Sequence, residues 1–222
     1  MKRTAAALAG LALLAGCISA PDVPSRDYYV LEDMGQPGTV KARAGSARVL
    51  LVQPAGATPF YDTQSLAFSR VPGQRAHYQF AAWTERPARR LSELLMRRLE
   101  TRGGFRTVAS TTAGVRGDVV LNLRLEEFYH DTGAQPGSAR VEVTAELIDA
   151  TGRAVIARRR FTQSAPAGGE NARAAVAAFN QATTALLDEM SAWIESVAAR
   201  AAASSSGGPL SGNNDRATRS RT

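Results

Sequence analysis

Cysteine is almost absent from this chain, and the one that it has, Cys17, stands near the amino terminus. A single cysteine cannot close an intrachain disulfide, so the fold must depend on the packing of apolar side chains. Histidine is scarce as well, since His77 and His130 are the only two in 222 residues. Two isolated imidazoles with no thiol beside them do not give the ligand spacing of a zinc site. These absences exclude disulfide-rich scaffolds and the common zinc centres.

Sequence motifs of hydrolytic and phosphate chemistry are missing too. The chain has no GxSxG-type nucleophile elbow, and its glycine pairs lack the lysine and the spacing of a phosphate loop. Glu126 and Glu127 are adjacent on a predicted strand, where neighbouring side chains point to opposite faces, so they do not form an acid–base couple. We predict that the protein is not an enzyme and uses no cofactor or metal. An exported hydrolase with a dispersed site is the alternative, and unchanged behaviour of His77→Ala and His130→Ala would count against it.

The amino terminus has the three regions of an export signal. Lys2 and Arg3 precede an apolar run, residues 5–16, which is shorter than the roughly 20 residues of a transmembrane helix. The run closes on small residues in Leu14-Ala15-Gly16-Cys17, an order typical of a bacterial lipoprotein signal. We predict that residues 1–16 are removed. Cys17 then becomes the lipid attachment site and carries acyl chains, palmitate among them.

Two alternatives to this lipobox are left open. One is a secretory signal cut later, after Ala20, and the other is an ordinary buried thiol at Cys17. If the lipobox is correct, several acyl chains at about 0.8 kcal/mol per buried methylene hold the chain at a membrane. Ile18 occupies the position where an Asp commonly signals retention in the inner membrane. Ile18 therefore favours the outer membrane, with the body facing the periplasm.

The charge of the mature chain is positive and scattered. Removing the signal removes two of 27 basic residues and none of 20 acidic ones, which leaves a net charge of +5. The arginine clusters at Arg89-Arg90, Arg97-Arg98 and Arg158-Arg159-Arg160 lack interleaved aromatic residues, which argues against a nucleic-acid partner. We predict that they lie on the solvated faces of a helix and a strand. Attraction to anionic lipid headgroups or to an acidic partner is the alternative.

Hydrophobic periodicity predicts strands along most of the chain. The run Val119–Glu126 alternates apolar and wetter residues, and the apolar run Ala47–Val52 predicts a central strand buried on both faces. Asp149-Ala150-Thr151-Gly152 is a hairpin signal, so three antiparallel strands in a meander are expected. Val71-Pro72-Gly73-Gln74 predicts another hairpin turn. The predicted strands are Tyr28–Leu31, Ala47–Val52, Gln64–Arg70, His77–Ala81, Phe105–Ala109, Val119–Glu126, Ala139–Ile148 and Ala154–Phe161.

Two amphipathic helices complete the predicted fold. The first has Thr84 as its N-cap and Pro87 in its first turn, and it ends near Arg102 before a glycine pair. The second runs from about Asn171 to Ala199 with an apolar stripe on one face. The fold class is α/β (α+β), a single domain at residues 27–200 with an antiparallel or mixed sheet packed by these helices. Residues 17–26 are a tether, and residues 201–222 are predicted to be a disordered tail.

The order and spacing of these features resemble one protein family. The shared pattern extends from the lipobox through the first strand to the helix that ends near Ala199. Its most distinctive stretch comprises Ala57-Thr58-Pro59-Phe60-Tyr61-Asp62, Leu66-Ala67-Phe68-Ser69-Arg70, Tyr78-Gln79-Phe80-Ala81, Trp83 and Pro87-Ala88-Arg89-Arg90-Leu91. On these residues the chain resembles the auxiliary lipoproteins of ABC-type transport systems, the PqiC-like group associated with MCE lipid transporters.

The resemblance implies a role in moving lipids across the periplasm. In such systems an ABC permease and ATPase lie in the inner membrane, and MCE proteins carry hydrophobic cargo across the gap. The lipoprotein would be a docking or exit component at the outer membrane. Its implied partners are an MCE-domain protein and the ABC permease/ATPase complex; a homo-oligomer is left open. A structural outer-membrane lipoprotein for envelope assembly or peptidoglycan contact, with no lipid cargo, is the alternative.

The shared stretch also supplies candidates for a partner surface, because aromatic anchors dominate interface energies. The family-motif residues singled out for it are Phe60, Tyr61, Asp62, Phe68, Arg70, Tyr78 and Trp83. For each of them taken alone, packing in the core or in a loop is the stronger expectation.

Overall fold

The computed structural model describes residues 25–35, 46–133 and 135–206. Within these residues nine strands form one mixed sheet, and two α-helices pack against it, which confirms the predicted fold class. The strands are β1 (Asp27–Tyr29), β2 (Ser46–Val52), β3 (Gly56–Ala57), β4 (Ser65–Ser69), β5 (Ala76–Trp83), β6 (Phe105–Ser110), β7 (Val119–Asp131), β8 (Ser138–Asp149) and β9 (Ala154–Pro166). The helices are α1 (Pro87–Arg102) and α2 (Ala172–Ser206).

Strand β7 organises the sheet. One of its edges pairs with β8 in antiparallel register, and β8 pairs with β9 in the same way, so the predicted three-stranded meander is confirmed. The other edge of β7 is shared, in order, by β2, β3 and β4, all parallel to it. Strand β6 extends the sheet beyond β2, while β5 and β1 extend it beyond β4.

Both helices pack over the core of the sheet. Helix α1 contacts β3, β6 and β7, helix α2 contacts β7, β8 and β9, and the two helices contact each other. The alternating apolar residues of β7 and β8 contribute to this core, and Leu121, Leu125 and Leu147 are completely buried. The end of β2 is buried on both faces, as predicted, because Leu51 and Val52 are both buried. No helix in the described ranges is apolar enough over a sufficient length to cross a membrane.

The hairpin between β4 and β5 forms as its turn residues predict. The strands are antiparallel, and the amide of Gln74 donates to the carbonyl of Val71 at 3.1 Å. Gly73 has φ +81°, and this left-handed backbone explains why glycine follows proline in the turn.

Strand β1 ends earlier than predicted. It pairs with β5 only as far as Tyr29, whereas the prediction extends to Leu31. Leu31 is buried, but its carbonyl accepts from Nε of Arg90 on α1 at 2.9 Å. The chain has therefore left the sheet at this point and lies against the helices. Leu31 is apolar because it is buried there, and not because it belongs to the strand.

The start of α1 also differs from the prediction. Arg86, not Thr84, occupies the N-cap position, and no side chain caps the helix there. The amide of Thr84 instead donates to the carbonyl of Tyr29 at 2.8 Å, so this residue continues the pairing of β1 with β5. Pro87 begins the helix, because its fixed φ suits the first turn and its missing N–H needs no partner there. Gly103 ends the helix with φ 66°, as predicted.

Helix α2 is longer than predicted. Asn171 caps its start, with its side-chain oxygen accepting from the amide of Ala174 at 2.9 Å. Residues 201–206, which the sequence assigns to the disordered tail, are helical, and the hydroxyl of Ser204 donates to the carbonyl of Arg200 at 3.1 Å. The alanine run before Ser204 explains the extension, since alanine has the highest helix propensity. The predicted signal, Cys17, most of the tether and residues 207–222 lie outside the described residues.

The arginine clusters are solvated only in part. The run 158–160 on β9 is largely exposed, as predicted. In each of the two pairs on α1, however, one member is mostly buried: the side chain of Arg90 is 16 % exposed and that of Arg98 is 10 % exposed. The prediction is wrong for these two residues, because neighbouring segments cover each of them and acidic side chains pair with its charge.

Candidate functional site

Strand β5 carries a large bulge opposite β4. Ser65 pairs with Ala82 and Ala67 pairs with His77, so a single β4 residue, Leu66, lies opposite the four β5 residues 78–81. Bulges bend a strand and redirect its side chains, and they are common beside functional sites. The bulged residues are the stretch Tyr78-Gln79-Phe80-Ala81 that the family resemblance singles out.

A groove lies at this bulge, between β1, β5 and the start of α2. The groove has a volume of about 380 Å³, within the range of small-molecule sites. Its lining combines three aromatic rings and two alanines with one carboxylate, one guanidinium and two side-chain amides. In the described part of the chain no three His, Cys, Asp or Glu residues are grouped as metal ligands would be. The groove is lined by Asp27, Tyr29, Tyr78, Gln79, Phe80, Ala81, Asn171, Ala172 and Arg173.

Tyr78 joins the groove to a buried histidine. Its hydroxyl lies 2.8 Å from Nδ1 of His130 and donates to the carbonyl of Glu170 at 2.9 Å. Because a phenol has one proton, donation to Glu170 means that the hydroxyl accepts from Nδ1–H of His130. The other ring nitrogen, Nε2, then bears no proton and has no hydrogen-bond partner among the described residues. His130 lies near the end of β7, four residues beyond the predicted end of that strand, and it is completely buried.

Burial keeps both members of this pair uncharged. It raises the pKa of Tyr78 to about 12, against a smaller opposing effect of Arg70. It also lowers the pKa of His130 below its usual value, although Asp131 and Glu170 act in the opposite direction. A proton added at Nε2 would find no acceptor in its described surroundings, which agrees with this direction. The pair therefore fixes the bulge to β7 and to the residues before α2, and it offers no free base at the surface of the groove.

The buried histidine predicts a loss of stability in acid. In the unfolded chain the pKa of His130 returns to about 6.5, so between that value and its lower folded pKa the unfolded state binds more protons. Its contribution to stability is therefore complete above about pH 6.5 and is lost as the pH falls through the folded pKa. We expect the thermal midpoint to decrease from neutral to mildly acidic pH, and His130→Phe to reduce this decrease.

The matched control for that measurement is His77→Asn. Partial burial is the main cause that lowers the pKa of His77 as well, but this residue is far more exposed than His130, and its ring is stacked on Phe60. Scanning calorimetry of the three proteins across the pH range separates the two histidines. A pH dependence that disappears in His77→Asn and persists in His130→Phe would contradict the assignment.

Two of the motif residues are core residues. Trp83 is 1 % exposed and contacts Phe128 and Phe179, with ring centroids 5.6 and 5.4 Å away. Tyr61 is 8 % exposed, and its hydroxyl accepts from Nε of Arg75 at 3.0 Å. For these two the expectation of core packing holds, and we leave them out of the candidate partner surface.

The other motif residues divide between two places. Phe68, Arg70 and Tyr78 lie together beside the groove, because the Phe68 ring centroid is 4.9 Å from both the Tyr78 ring and the Arg70 guanidinium carbon. Phe60 is 39 % exposed, and Asp62 forms an exposed ion pair with Arg86 at 3.2 Å.

Sequence reasoning missed the contributions of α2 and β1 to the groove. Asn171 and Arg173 come from the start of α2, and Asp27 comes from the edge strand β1. The sequence predicts that a helix begins near Asn171, but no local signal indicates that this end of the helix meets β5.

A mixed sheet packed by two helices defines the class of domain, and solved proteins share this fold. Protein XCC0632 from Xanthomonas campestris, described with the family-model DUF330, is similar with a TM-score of 0.73 and 25 % identity, over 80 % of this chain and 99 % of that one. An uncharacterized protein of known crystal structure is similar in fold, with a TM-score of 0.61 and 14 % identity over 77 % of this chain and 99 % of that one. No curated protein matches the chain.

A family model described as the ABC-type transport auxiliary lipoprotein component matches residues 29–191. The chain belongs to this family, and the resemblance drawn from the sequence is confirmed. Membership makes the protein a membrane-anchored lipoprotein and an accessory of ABC-type transport.

Proposed function

We propose that the protein is the lipid-anchored, periplasm-facing docking or exit module of an MCE/ABC-type lipid-transport system at the outer membrane. The observation that carries this proposal is the family match, which spans the folded domain over residues 29–191. A lipoprotein that is auxiliary to ABC-type transport needs an anchor and a surface for the other components. Cys17 would supply the anchor, and Ile18 favours the outer membrane.

The groove and the residues beside it are the surface that we assign to the MCE partner. Phe68, Arg70 and Tyr78 are the motif residues that the fold brings together there, and Gln79 lies on the groove wall. Tyr78 is half-buried and held by two hydrogen bonds, so its ring is fixed before a partner arrives. A fixed aromatic side chain loses little conformational entropy on binding, which favours affinity.

A site-specific crosslinking experiment tests this proposal. A photoreactive amino acid replaces Gln79 in the full chain, and the matched control carries it at Thr151 in the turn after β8. Thr151 adjoins the end of the sheet where β7 begins, whereas Tyr78 bonds to His130 near the end of β7. The 13 residues of β7 separate these ends by about 40 Å. We expect crosslinks from position 79, and not from position 151, to an MCE protein that co-purifies with its ABC permease.

The outcomes of this experiment separate the two hypotheses about function. Recovery of envelope-assembly proteins or peptidoglycan alone from position 79 would favour a structural outer-membrane lipoprotein without lipid cargo. Equal recovery of the MCE protein from both positions would leave the transport role standing and would contradict the groove as its docking surface.

A further inference from the structure

Exposed aromatic side chains collect where β1 meets β5. Tyr28 is 62 % exposed, Phe80 is 45 % exposed and Phe60 is 39 % exposed. His77 joins them, because its ring is stacked on Phe60 with centroids 4.5 Å apart and planes 13° apart. We call Tyr28, Phe60, His77 and Phe80 the aromatic face.

Strand pairing places Tyr28 and Phe80 next to each other at the edge of the sheet. Tyr28 pairs with Ala82, and Phe80 lies two residues before Ala82, at the bulge of β5. Trp83, the partner of Tyr29, contacts Phe179 of α2, so alternation along β1 turns Tyr28 to the side away from that core. Phe80 lies beside it at the wall of the groove.

An exposed cation lies at the aromatic face. Arg26 precedes Asp27, which pairs with Ala81, so Arg26 lies beside Phe80. Burial lowers the pKa of His77, and the positive charge of Arg26 adds to this effect. The neighbouring carboxylate, Asp27, alternates to the other side of β1. The face thus presents a positive charge among uncharged rings, a combination that suits anionic headgroups above an apolar layer.

The length of chain before β1 identifies what this face meets. Only residues 18–26 separate Cys17 from Asp27. Ten fully extended peptide steps span at most about 35 Å, so an acylated Cys17 keeps the first strand within that distance of the bilayer. Short tethers hold a second binding surface at a high effective concentration, and even a weak contact is then populated.

We propose that the aromatic face docks on the surface of the phospholipid bilayer that holds the anchor. This inference rests on the lipid anchor of the proposed function but not on the identity of the transport partner. Tyrosine and other rings with an apolar body and a polar edge favour the headgroup level of a membrane. Because Phe80 also lines the groove, docking would place the mouth of the groove at the border between the bilayer and the periplasm.

Vesicle sedimentation tests the docking directly. The mature chain, residues 17–222 with Cys17→Ser, is mixed with vesicles of phosphatidylethanolamine and phosphatidylglycerol, so that no acyl chain contributes. We expect measurable binding that falls about tenfold in the double variant Tyr28→Ser, Phe80→Ser, a change of about 1.4 kcal/mol. The matched control is Val115→Ser, Val155→Ser, which removes two apolar side chains of similar exposure, 48 % and 59 %, elsewhere on the surface.

A labelling experiment keeps the proposal testable if the double variant folds poorly. Cys17→Ser removes the only cysteine, so Phe80→Cys and Val155→Cys each give one site for an environment-sensitive dye. We expect vesicles to shift the emission of the dye to shorter wavelength at position 80 and to leave it unchanged at position 155.

Three results would overturn the docking proposal. They are the absence of vesicle binding by the Cys17→Ser chain, an equal loss in the control double variant, and a dye response at position 80 that follows protein concentration without vesicles. The last would assign the face to a second copy of the chain. Failure to recover an MCE partner by crosslinking would refute the proposed transport role and leave these vesicle measurements unaffected, so the two proposals fail separately.

Discussion

Replacing Arg98 by alanine is expected to lower the free energy of unfolding by about 3 kcal/mol, as is usual when one partner of a buried ion pair is removed. The Arg98 side chain is 10 % exposed and reaches from α1 to Asp33, which is 17 % exposed, and to Asp188 on α2. Its Nε donates to Oδ2 of Asp33 at 2.8 Å, and a second guanidinium nitrogen donates to the other carboxylate oxygen. Without the guanidinium, Asp33 stays in a largely buried position and loses this cation.

The same substitution is expected to loosen the segment that follows β1. Residues 31–35 lie against both helices, and hydrogen bonds between their backbone and helix side chains hold them there. The amide of Glu32 donates to Asn180 at 3.1 Å, and the amide of Met34 donates to Thr184 at 2.8 Å. Because Thr184 also donates to Asp33 at 3.2 Å, loss of Arg98 disturbs a carboxylate that this segment shares with α2.

Urea denaturation and hydrogen exchange measure the two effects. The matched control is Arg97→Ala, since Arg97 is the exposed neighbour on the same helix and its replacement removes the same charge. We expect the amides of Glu32 and Met34 to lose protection in Arg98→Ala and to keep it in Arg97→Ala. Equal destabilisation by the two substitutions, or unchanged protection of both amides, would show that Arg98 does not hold the segment.

Local periodicity explains why much of the fold is predictable from sequence. Strands β7 and β8 have one face in the core and one wetter face, so their apolar residues alternate with period two. The hairpin turn at Pro72-Gly73 and the helix end at Gly103 are predictable because each requires a backbone that glycine adopts without steric cost. These features depend on residues close together in the chain, where spacing alone decides the structure.

The arginine clusters show what local patterns do not contain. Arg90 and Arg98 are mostly buried, whereas the arginines next to them on the same helix, Arg89 and Arg97, are exposed. The groups that they bond, the carbonyl of Leu31 and the carboxylate of Asp33, lie 59 and 65 residues earlier in the chain. A charged residue is buried only where a partner satisfies it, and the partner's position depends on the tertiary fold.

The groove is not predictable from sequence for a related reason. Its bulge arises because four residues of β5, but only one residue of β4, lie between the same two paired positions. Neither strand alone reveals that mismatch. The burial of His130 likewise depends on Tyr78, 52 residues away, whose hydroxyl accepts its Nδ1–H. Residue type and order nevertheless indicate the family. The bulged residues 78–81 belong to the stretch that is most distinctive of that family.

Cys17→Ser is expected to abolish stable membrane attachment, the largest functional effect that we expect from a single substitution. Both acylated groups of the predicted mature terminus depend on this residue, and each buried methylene contributes about 0.8 kcal/mol to binding. The substitution is made in a chain whose residues 1–16 are exchanged for a general secretory signal, so that export and cleavage continue. The aromatic face alone would bind reversibly, so washed membranes should retain little of the variant.

The matched substitution at the next position separates anchoring from sorting. Ile18→Asp keeps the cysteine and introduces the acid that commonly retains lipoproteins in the inner membrane, so we expect the chain to remain acylated and to move to inner-membrane fractions. Density fractionation with immunoblotting measures both variants against the unchanged chain. Persistent attachment of Cys17→Ser after washing would refute the lipobox, and an unchanged distribution of Ile18→Asp would refute the sorting argument. If both expectations hold, the tether holds the domain at the periplasmic surface of the outer membrane, where a docking or exit module must lie.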